Sequence, residues 1–360
     1  MFKQAVVLKK KKQSINVSFL PKLRNKMVSL SSPFVILGAG AWGTALAIHL
    51  AKAGQQVRLW DNDNEHLLSL KKSHANMRYL PNIAFPESIE ISLSLSEALC
   101  NAKDIMLSVP SHAFREALEQ IHPYLTDDSR ILWVTKGIDK TSGKLLSQVV
   151  KEVLGERPYA ALSGPSFAAE VAKGLPTAVS IAANNEVFAN DLVKYFNHGA
   201  FRVYICDDLL GVQLGGAIKN VIAIAVGASD GLRYGANARS ALITRGLAEI
   251  MRLGVAIGAK QNTFMGLSGL GDLILTCTDD QSRNRLFGLA IAKNNDLKKA
   301  ESAVGRLVEG VYTAEQVIEL AKKHHVEMPI CEQVLKLLQQ KATVSEIVIA
   351  LLSRPPKKEY

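Results

Sequence analysis

The sequence predicts an α/β fold, with a doubly wound sheet in its first half and an all-α second half. Three observations carry this: a glycine fingerprint set between an apolar strand and a helix, short apolar runs alternating with helical segments up to residue 205, and helical periodicity alone thereafter.

The first element is a strand over Phe34 to Leu37, followed by Gly38-Ala39-Gly40-Ala41-Trp42-Gly43 and a helix over Thr44 to Lys52. A second strand, Val57 to Trp60, ends at Asp61. GxGxxG alone is weak evidence; between a strand and an amphipathic helix, and answered by a second strand, it is a strong signal of a Rossmann-like dinucleotide site. Gly38 permits the tight turn, Gly40 lets a pyrophosphate approach the backbone, and Gly43 allows close packing, while the helix start offers free N–H groups to the anion. Asp61 lies where a carboxylate accepts hydrogen bonds from ribose hydroxyls and repels a 2'-phosphate, which taken alone favours NAD over NADP. Arg58, Lys71, Lys72 and Arg78 are near enough in sequence to reach back, so the preference stays open.

Further apolar runs follow at Asp104 to Val109, Ile131 to Thr135, Ala160 to Ser163, Ala178 to Ala182 and Phe201 to Ile205. Their alternation with helical segments predicts a largely parallel sheet with helices on both faces and ligands at the strand carboxyl ends. The turns Val109-Pro110-Ser111, Thr135-Lys136-Gly137 and Ser163-Gly164-Pro165-Ser166 fall at those ends. Lys136, directly after a buried strand, is a candidate for holding a substrate oxygen or phosphate; a solvated turn lysine is the competing reading.

Past a boundary near Asp207 the pattern is helical: Leu209 to Ser229, Ala238 to Ile257, Ser282 to Lys293, Thr313 to His324 and Glu332 to Gln340. In the first of these Lys219 is the only charged residue between Asp208 and Asp230. A membrane span is disfavoured, because a central lysine costs about 2.5–3.5 kcal/mol on insertion scales and four glycines interrupt the run. A buried ammonium must be paired or give up its proton more easily than a free lysine, which suits a general acid or base near neutral pH; a purely structural ion pair is the alternative. The glycine-dense stretch from Gly266 to Cys277 reads as a loop able to approach a ligand, with Asp272 in it as an acceptor for Lys219 or a substrate hydroxyl. Ser282-Arg283-Asn284 at a helix start suits a phosphate equally well as it suits plain capping with a surface arginine.

Composition bounds the rest. With 360 residues and 48% hydrophobic content the chain can build two cored domains. Of the formal net charge of +10, eight positives fall before residue 33 with no acidic residue among them, which leaves the body near +2 and gives no nucleic-acid signal outside the tail. That tail lacks the apolar core of a secretory signal and reads as a transit peptide, a basic arm or residues upstream of a start at Met27; a disordered extension irrelevant to the chemistry is expected. Cys100, Cys206, Cys277 and Cys331 are widely spaced, without ligand-spaced histidines, so neither a metal site nor a disulfide framework is expected, and the compartment reads as reducing. The domain expectation is an extension at 1–32, a dinucleotide-binding domain at 33–206, an α-helical substrate-binding and catalytic domain at 207–350 and a tail at 351–360.

Taken together, Gly38 to Gly43, Thr135 to Gly137, Ser163 to Ser166, Gly215 to Asn220, Gly271 to Cys277, Ser282 to Asn284 and Val308-Glu309-Gly310 resemble the NAD(P)-dependent glycerol-3-phosphate dehydrogenases of the soluble bacterial type, over roughly Pro33 to Ala350. The resemblance implies reversible NADH- or NADPH-dependent reduction of dihydroxyacetone phosphate to sn-glycerol 3-phosphate for phospholipid synthesis, in the cytoplasm. It implies that Lys219 is the general acid/base and that Lys136 lies near the carbonyl oxygen and the nicotinamide. Asp272, Asn220 and Thr276 match residues lining the reacting end, Ser282, Arg283 and Asn284 the phosphate group, and Gly164 and Ser166 further substrate contacts. Ala41, Trp42, Asn62, Tyr79, Ala168, Leu307 and Glu309 match cofactor contacts, with Arg283 touching the cofactor too. Family members often carry His or Arg where Asn62 and Asp63 stand here, which weakens a claim for NADPH. The basic tail has no counterpart in the family pattern.

The apolar helices are compatible with a homodimer, and neither nucleic acid nor stable membrane insertion is expected. Two rivals remain on the sequence: another two-domain NAD(P)-dependent hydroxyacid dehydrogenase, and a non-catalytic dinucleotide sensor binding nucleic acid through its basic tail.

Overall fold

Strand periodicity and burial build a single eight-stranded sheet, seen in a computed structural model that describes residues 32–305 and 307–353. The expectations for residues 1–31 and for the tail beyond Ser353 lie outside these described residues. The strands are β1 (Phe34–Leu37), β2 (Val57–Trp60), β3 (Ile89–Ile91), β4 (Asp104–Leu107), β5 (Arg130–Trp133), β6 (Tyr159–Ser163), β7 (Thr177–Ala183) and β8 (Phe201–Ile205), in the spatial order β3-β2-β1-β4-β5-β6-β7-β8. All neighbours are parallel except β6 and β7, which pair antiparallel with Leu162 opposite Ile181. Between those two strands the chain forms only the short helix Ala168–Lys173, which packs on helix Ala41–Lys52, and then turns at Gly174 with φ +78.

Successive side chains of a strand point to opposite faces, and both faces here are apolar. Phe34, Ile36, Met106, Leu132 and Leu162 pack beneath helices Ala41–Lys52, Asn64–Ser73 and Glu186–Phe196. Val35, Leu37, Ile105, Leu107 and Trp133 face helices Phe114–Ile121 and Leu146–Leu154. The strand order reverses between β1 and β4, which opens a crevice at their carboxyl ends, where open α/β sheets bind ligands.

The remaining chain wraps helices around Leu209–Gly231, the core helix of its own apolar cluster. It is long and apolar enough to cross a membrane, yet 89% of its most hydrophobic stretch is buried inside the fold. Its glycines serve close approach: a Cβ on Gly227 would lie 2.1 Å from the Arg285 carbonyl oxygen, and one on Gly288 2.2 Å from that of Ile224. Helix Arg283–Asn294 therefore packs backbone to backbone on the core helix.

One local expectation is corrected. The stretch from Gly266 to Cys277 is not a loop but a π-helical turn, Leu267–Gly271, running into helix Asp272–Thr278. Gly269 is a packing residue, since a Cβ there would sit 2.1 Å from the Phe264 carbonyl oxygen, and the stretch presses on the core helix at Gly215, where a Cβ would meet the Ser268 carbonyl oxygen at 2.4 Å. The strand β3 had no separate sequence signal, because three residues are too few to show alternation.

Candidate active site

The glycine turn is shaped for a dinucleotide. Gly38 has φ +108, and a Cβ there would meet the Ser108 carbonyl oxygen at 2.5 Å; a Cβ on Gly43 would meet that of Gly38 at 2.0 Å. Above Gly40, by contrast, an added Cβ meets nothing within 4 Å, so the approach to the helix start is open. Gly40 supplies no side-chain cap to helix Ala41–Lys52, so the first-turn N–H groups of Ala41, Trp42 and Gly43 are left to an anion. Asp61 ends β2 with Oδ2 accepting from Ala39 N at 2.7 Å and Oδ1 from Asp63 N at 3.1 Å. Asn62 is exposed beside it, and half-buried Tyr79 donates its backbone N–H to Asn76 Oδ1 at 3.0 Å.

A charged cluster lies where the strand ends meet the core helix. Lys219 Nζ, projecting from that helix, donates to Asp272 Oδ1 at 2.5 Å and to Thr276 Oγ1 at 2.6 Å. Thr276 in turn donates to the Asp272 carbonyl oxygen at 2.6 Å, the neighbouring turn of the same helix. Lys136, carried on the turn after β5, donates to Asp272 Oδ2 at 2.6 Å and to the Gly164 carbonyl oxygen at 3.2 Å. Ser166 Oγ donates to that same carbonyl at 3.0 Å. One carboxylate thus bridges two ammonium groups, one from the sheet half and one from the helical half. The side chains of Lys219 and Asp272 are only 8% and 2% exposed, so their charges act with little solvent screening. Burial pulls the Lys219 pKa down to about 8, with Asp272 opposing the shift and Lys136 adding to it.

Next to this cluster runs a chain of buried amides. Gly310 N donates to Asn284 Oδ1 at 2.8 Å, Asn284 Nδ2 to Asn220 Oδ1 at 3.0 Å, and Asn220 Nδ2 to the Gly216 carbonyl oxygen at 3.4 Å. Because the chain starts at a backbone donor and ends at a backbone acceptor, both amide orientations are fixed, and each side-chain nitrogen keeps one N–H to offer. Ser282 caps helix Arg283–Asn294 by accepting from Arg285 N at 3.3 Å, which leaves its O–H free to donate. Arg283 stands exposed at the first position of that helix. The turn beneath it is anchored by Arg285, which pairs with Asp280 and, at 2.8 Å, with Asp230, whose side chain is 5% exposed; Arg239 reaches Asp230 at 3.0 Å.

A third group links the sheet to helix Glu309–Lys323. Glu309 accepts from Ser111 Oγ at 2.7 Å and from Ser111 N at 3.4 Å, and burial raises its carboxyl pKa. Leu307 precedes that helix, and Ala168 opens the short helix after β6. Of the residues singled out in the sequence, Lys136, Gly164, Ser166, Lys219, Asp272 and Thr276 form one connected network, and Asn220 and Asn284 a second. Gly38 to Gly43, Asn62 and Tyr79 lie apart from both, around the end of β2. Ser111, Asn76 and the Asp230–Arg285 pair were not singled out. Ser111 carried a signal, since it lies in a turn at a strand carboxyl end, whereas Asn76 carried none.

Comparison with known proteins agrees with this geometry. Residues 33–189 match the family model for the N-terminus of NAD-dependent glycerol-3-phosphate dehydrogenase, and residues 208–349 that for its C-terminus. The chain is 50% identical over 331 residues to glycerol-3-phosphate dehydrogenase (NAD(P)+) of Pasteurella multocida, covering 91% of this chain and 98% of that one. It is 51% identical over 326 residues to the enzyme of the same name from Aeromonas hydrophila, covering 90% and 98% respectively. A crystal structure of glycerol-3-phosphate dehydrogenase from Coxiella burnetii superimposes with a TM-score of 0.88 at 49% identity, covering 90% of this chain and 99% of that one. The glycine turn, the bridged lysine pair and these matches lead to one conclusion: the chain belongs to the NAD-dependent glycerol-3-phosphate dehydrogenase family.

Proposed function

We infer that this protein reduces dihydroxyacetone phosphate to sn-glycerol 3-phosphate, reversibly, with NADH or NADPH as cofactor. The single observation that carries the chemistry is the buried Lys219, held by Asp272 and Thr276 where the turn after β5 meets the core helix. The dinucleotide-binding part spans 33–206 and the helical catalytic part 207–350. The setting is the cytoplasm, and the product feeds phospholipid synthesis.

With its pyrophosphate held at the glycine turn Gly38 to Gly43, a bound NADH or NADPH would supply a hydride to C2 of the ketone. As the C2–O double bond becomes single, the oxygen gathers negative charge, and Lys219 Nζ gives it a proton. Lys136 adds a second positive charge at that oxygen, the kind of preorganised stabilisation that favours the transition state over the ground state. Asp272 holds both ammonium groups in place, and Thr276 fixes the direction of the Lys219 N–H bonds. Asn220 and Asn284 offer their remaining N–H groups to the substrate, along with Ser166 and the turn at Gly164. Arg283 and the Ser282 hydroxyl take the phosphate, so that phosphate binding energy orients the carbonyl. In oxidation the roles reverse: neutral Lys219 accepts the C2 hydroxyl proton. Ala41, Trp42, Asn62, Tyr79, Ala168, Leu307 and Glu309 line the cofactor's path.

Arg283→Ala tests the phosphate assignment. Loss of a hydrogen bond to a charged group costs roughly 1.5–3 kcal/mol, so KM for dihydroxyacetone phosphate should rise about 10- to 100-fold. Steady-state kinetics showing an unchanged KM would remove Arg283 from the site. The hydroxyacid dehydrogenase alternative predicts turnover of a hydroxy carboxylate and none of glycerol 3-phosphate.

A further inference from the structure

The two nicotinamide cofactors differ only in a 2'-phosphate on the adenosine ribose, and the residues past β2 form a connected scaffold suited to reading it. Asp63 accepts from His66 N at 2.9 Å through Oδ1, capping helix Asn64–Ser73, and from Arg78 Nη1 at 2.8 Å through Oδ2. The Arg78 guanidinium carbon lies 5.0 Å from the centre of the Tyr79 ring, which stands edge-on to His66 at 5.2 Å. His66 Nε2 is 3.2 Å from the Ala39 carbonyl oxygen, and Asn76 Nδ2 donates to that oxygen at 2.8 Å. The guanidinium is thereby tied through Tyr79, His66 and Asn76 to the glycine turn itself.

We propose that Asp63 and Arg78 set the choice between the two cofactors, with Arg78 receiving the 2'-phosphate and Asp63 opposing it. The proposal rests on the dinucleotide reading of the glycine turn. A guanidinium lying over an aromatic ring presents a planar fork matched to phosphate oxygens. The ion pair with Asp63 is easily exchanged: the Arg78 and Asp63 side chains are 58% and 41% exposed, and such surface ion pairs are weak. Among the described residues, a phosphate arriving at Arg78 meets the carboxylates of Asp61 and Asp63, which favour the unphosphorylated cofactor. Asp61 is committed to the backbone of Ala39 and Asp63, which leaves Asp63 as the adjustable charge.

The experiment is calorimetric titration of the full chain with adenosine 2',5'-bisphosphate and with adenosine 5'-monophosphate, which needs no turnover. Asp63→Asn keeps the helix cap, since an amide oxygen accepts the same N–H, and should raise the affinity ratio of bisphosphate to monophosphate about tenfold. Arg78→Ala should lower that ratio by about tenfold or more. The ratio of kcat/KM for NADPH over NADH should move in the same directions. A ratio that stays fixed in either variant, or moves the opposite way, overturns the assignment. If the native protein binds neither nucleotide, the dinucleotide reading fails as well; if it binds both and the ratio does not move, only the roles of Asp63 and Arg78 fail.

Discussion

Lys219→Ala is expected to lower kcat for ketone reduction by about 100- to 10,000-fold, the usual worth of a positioned proton donor. Cofactor affinity should not fall with it, because Lys219 lies on the core helix and the glycine turn on the far side of the crevice is untouched. Stopped-flow turnover and equilibrium cofactor binding on the same variant separate the two. Near-native turnover would end the assignment of Lys219 as the acid. Parallel losses of turnover and cofactor binding would point instead to a structural lysine, the alternative raised by its buried ion pair with Asp272.

Asp272→Ala acts on the same cluster from the other side. It leaves Lys136 and Lys219 facing each other without the carboxylate that now bridges them at 2.6 and 2.5 Å. Removing one partner of a buried ion pair typically costs about 3–5 kcal/mol, so urea unfolding should show a markedly lower midpoint. Part of that cost is relieved if Lys219 loses its proton, which moves its pKa lower still, since Asp272 is the group that opposes its fall. An unchanged midpoint would mean that the bridge carries no weight in the folded protein.

The extent to which the sequence was legible follows the range of the interactions. β1, β2 and β8 match their apolar runs residue for residue, and the glycine fingerprint placed the crevice before any contact was known. Helix starts were read up to four residues late: the helix expected from Thr313 begins at Glu309, because Gly310, a poor helix former, stands in its first turn. The antiparallel return of β7 was hidden, since its pattern equals that of a parallel buried strand and only the tertiary path decides its direction. The same holds in the site. Lys219 stood out because a lone charge in an apolar run is a local anomaly. Asp272, 53 positions on, was named from its glycine-dense surroundings as an acceptor for Lys219 or a substrate hydroxyl, whereas the further link from Asp272 to Lys136 across 136 positions is not recoverable from spacing. Glycine density between Gly266 and Gly271 signalled a close approach correctly but not its object, which at Gly269 is the backbone of Phe264.

The pH dependence of kcat/KM in both directions tests the role of Lys219 most directly, because this quantity follows the ionisation of the free enzyme. With its pKa drawn down to about 8 by burial, Lys219 is protonated below that pH and neutral above it. Reduction needs the ammonium, so its kcat/KM should fall as pH rises through about 8. Oxidation needs the free amine, so its kcat/KM should rise through the same pH, and both limbs should vanish in Lys219→Ala. Two profiles that move in the same direction, or limbs that persist unchanged in the variant, would contradict Lys219 as the group that exchanges the proton.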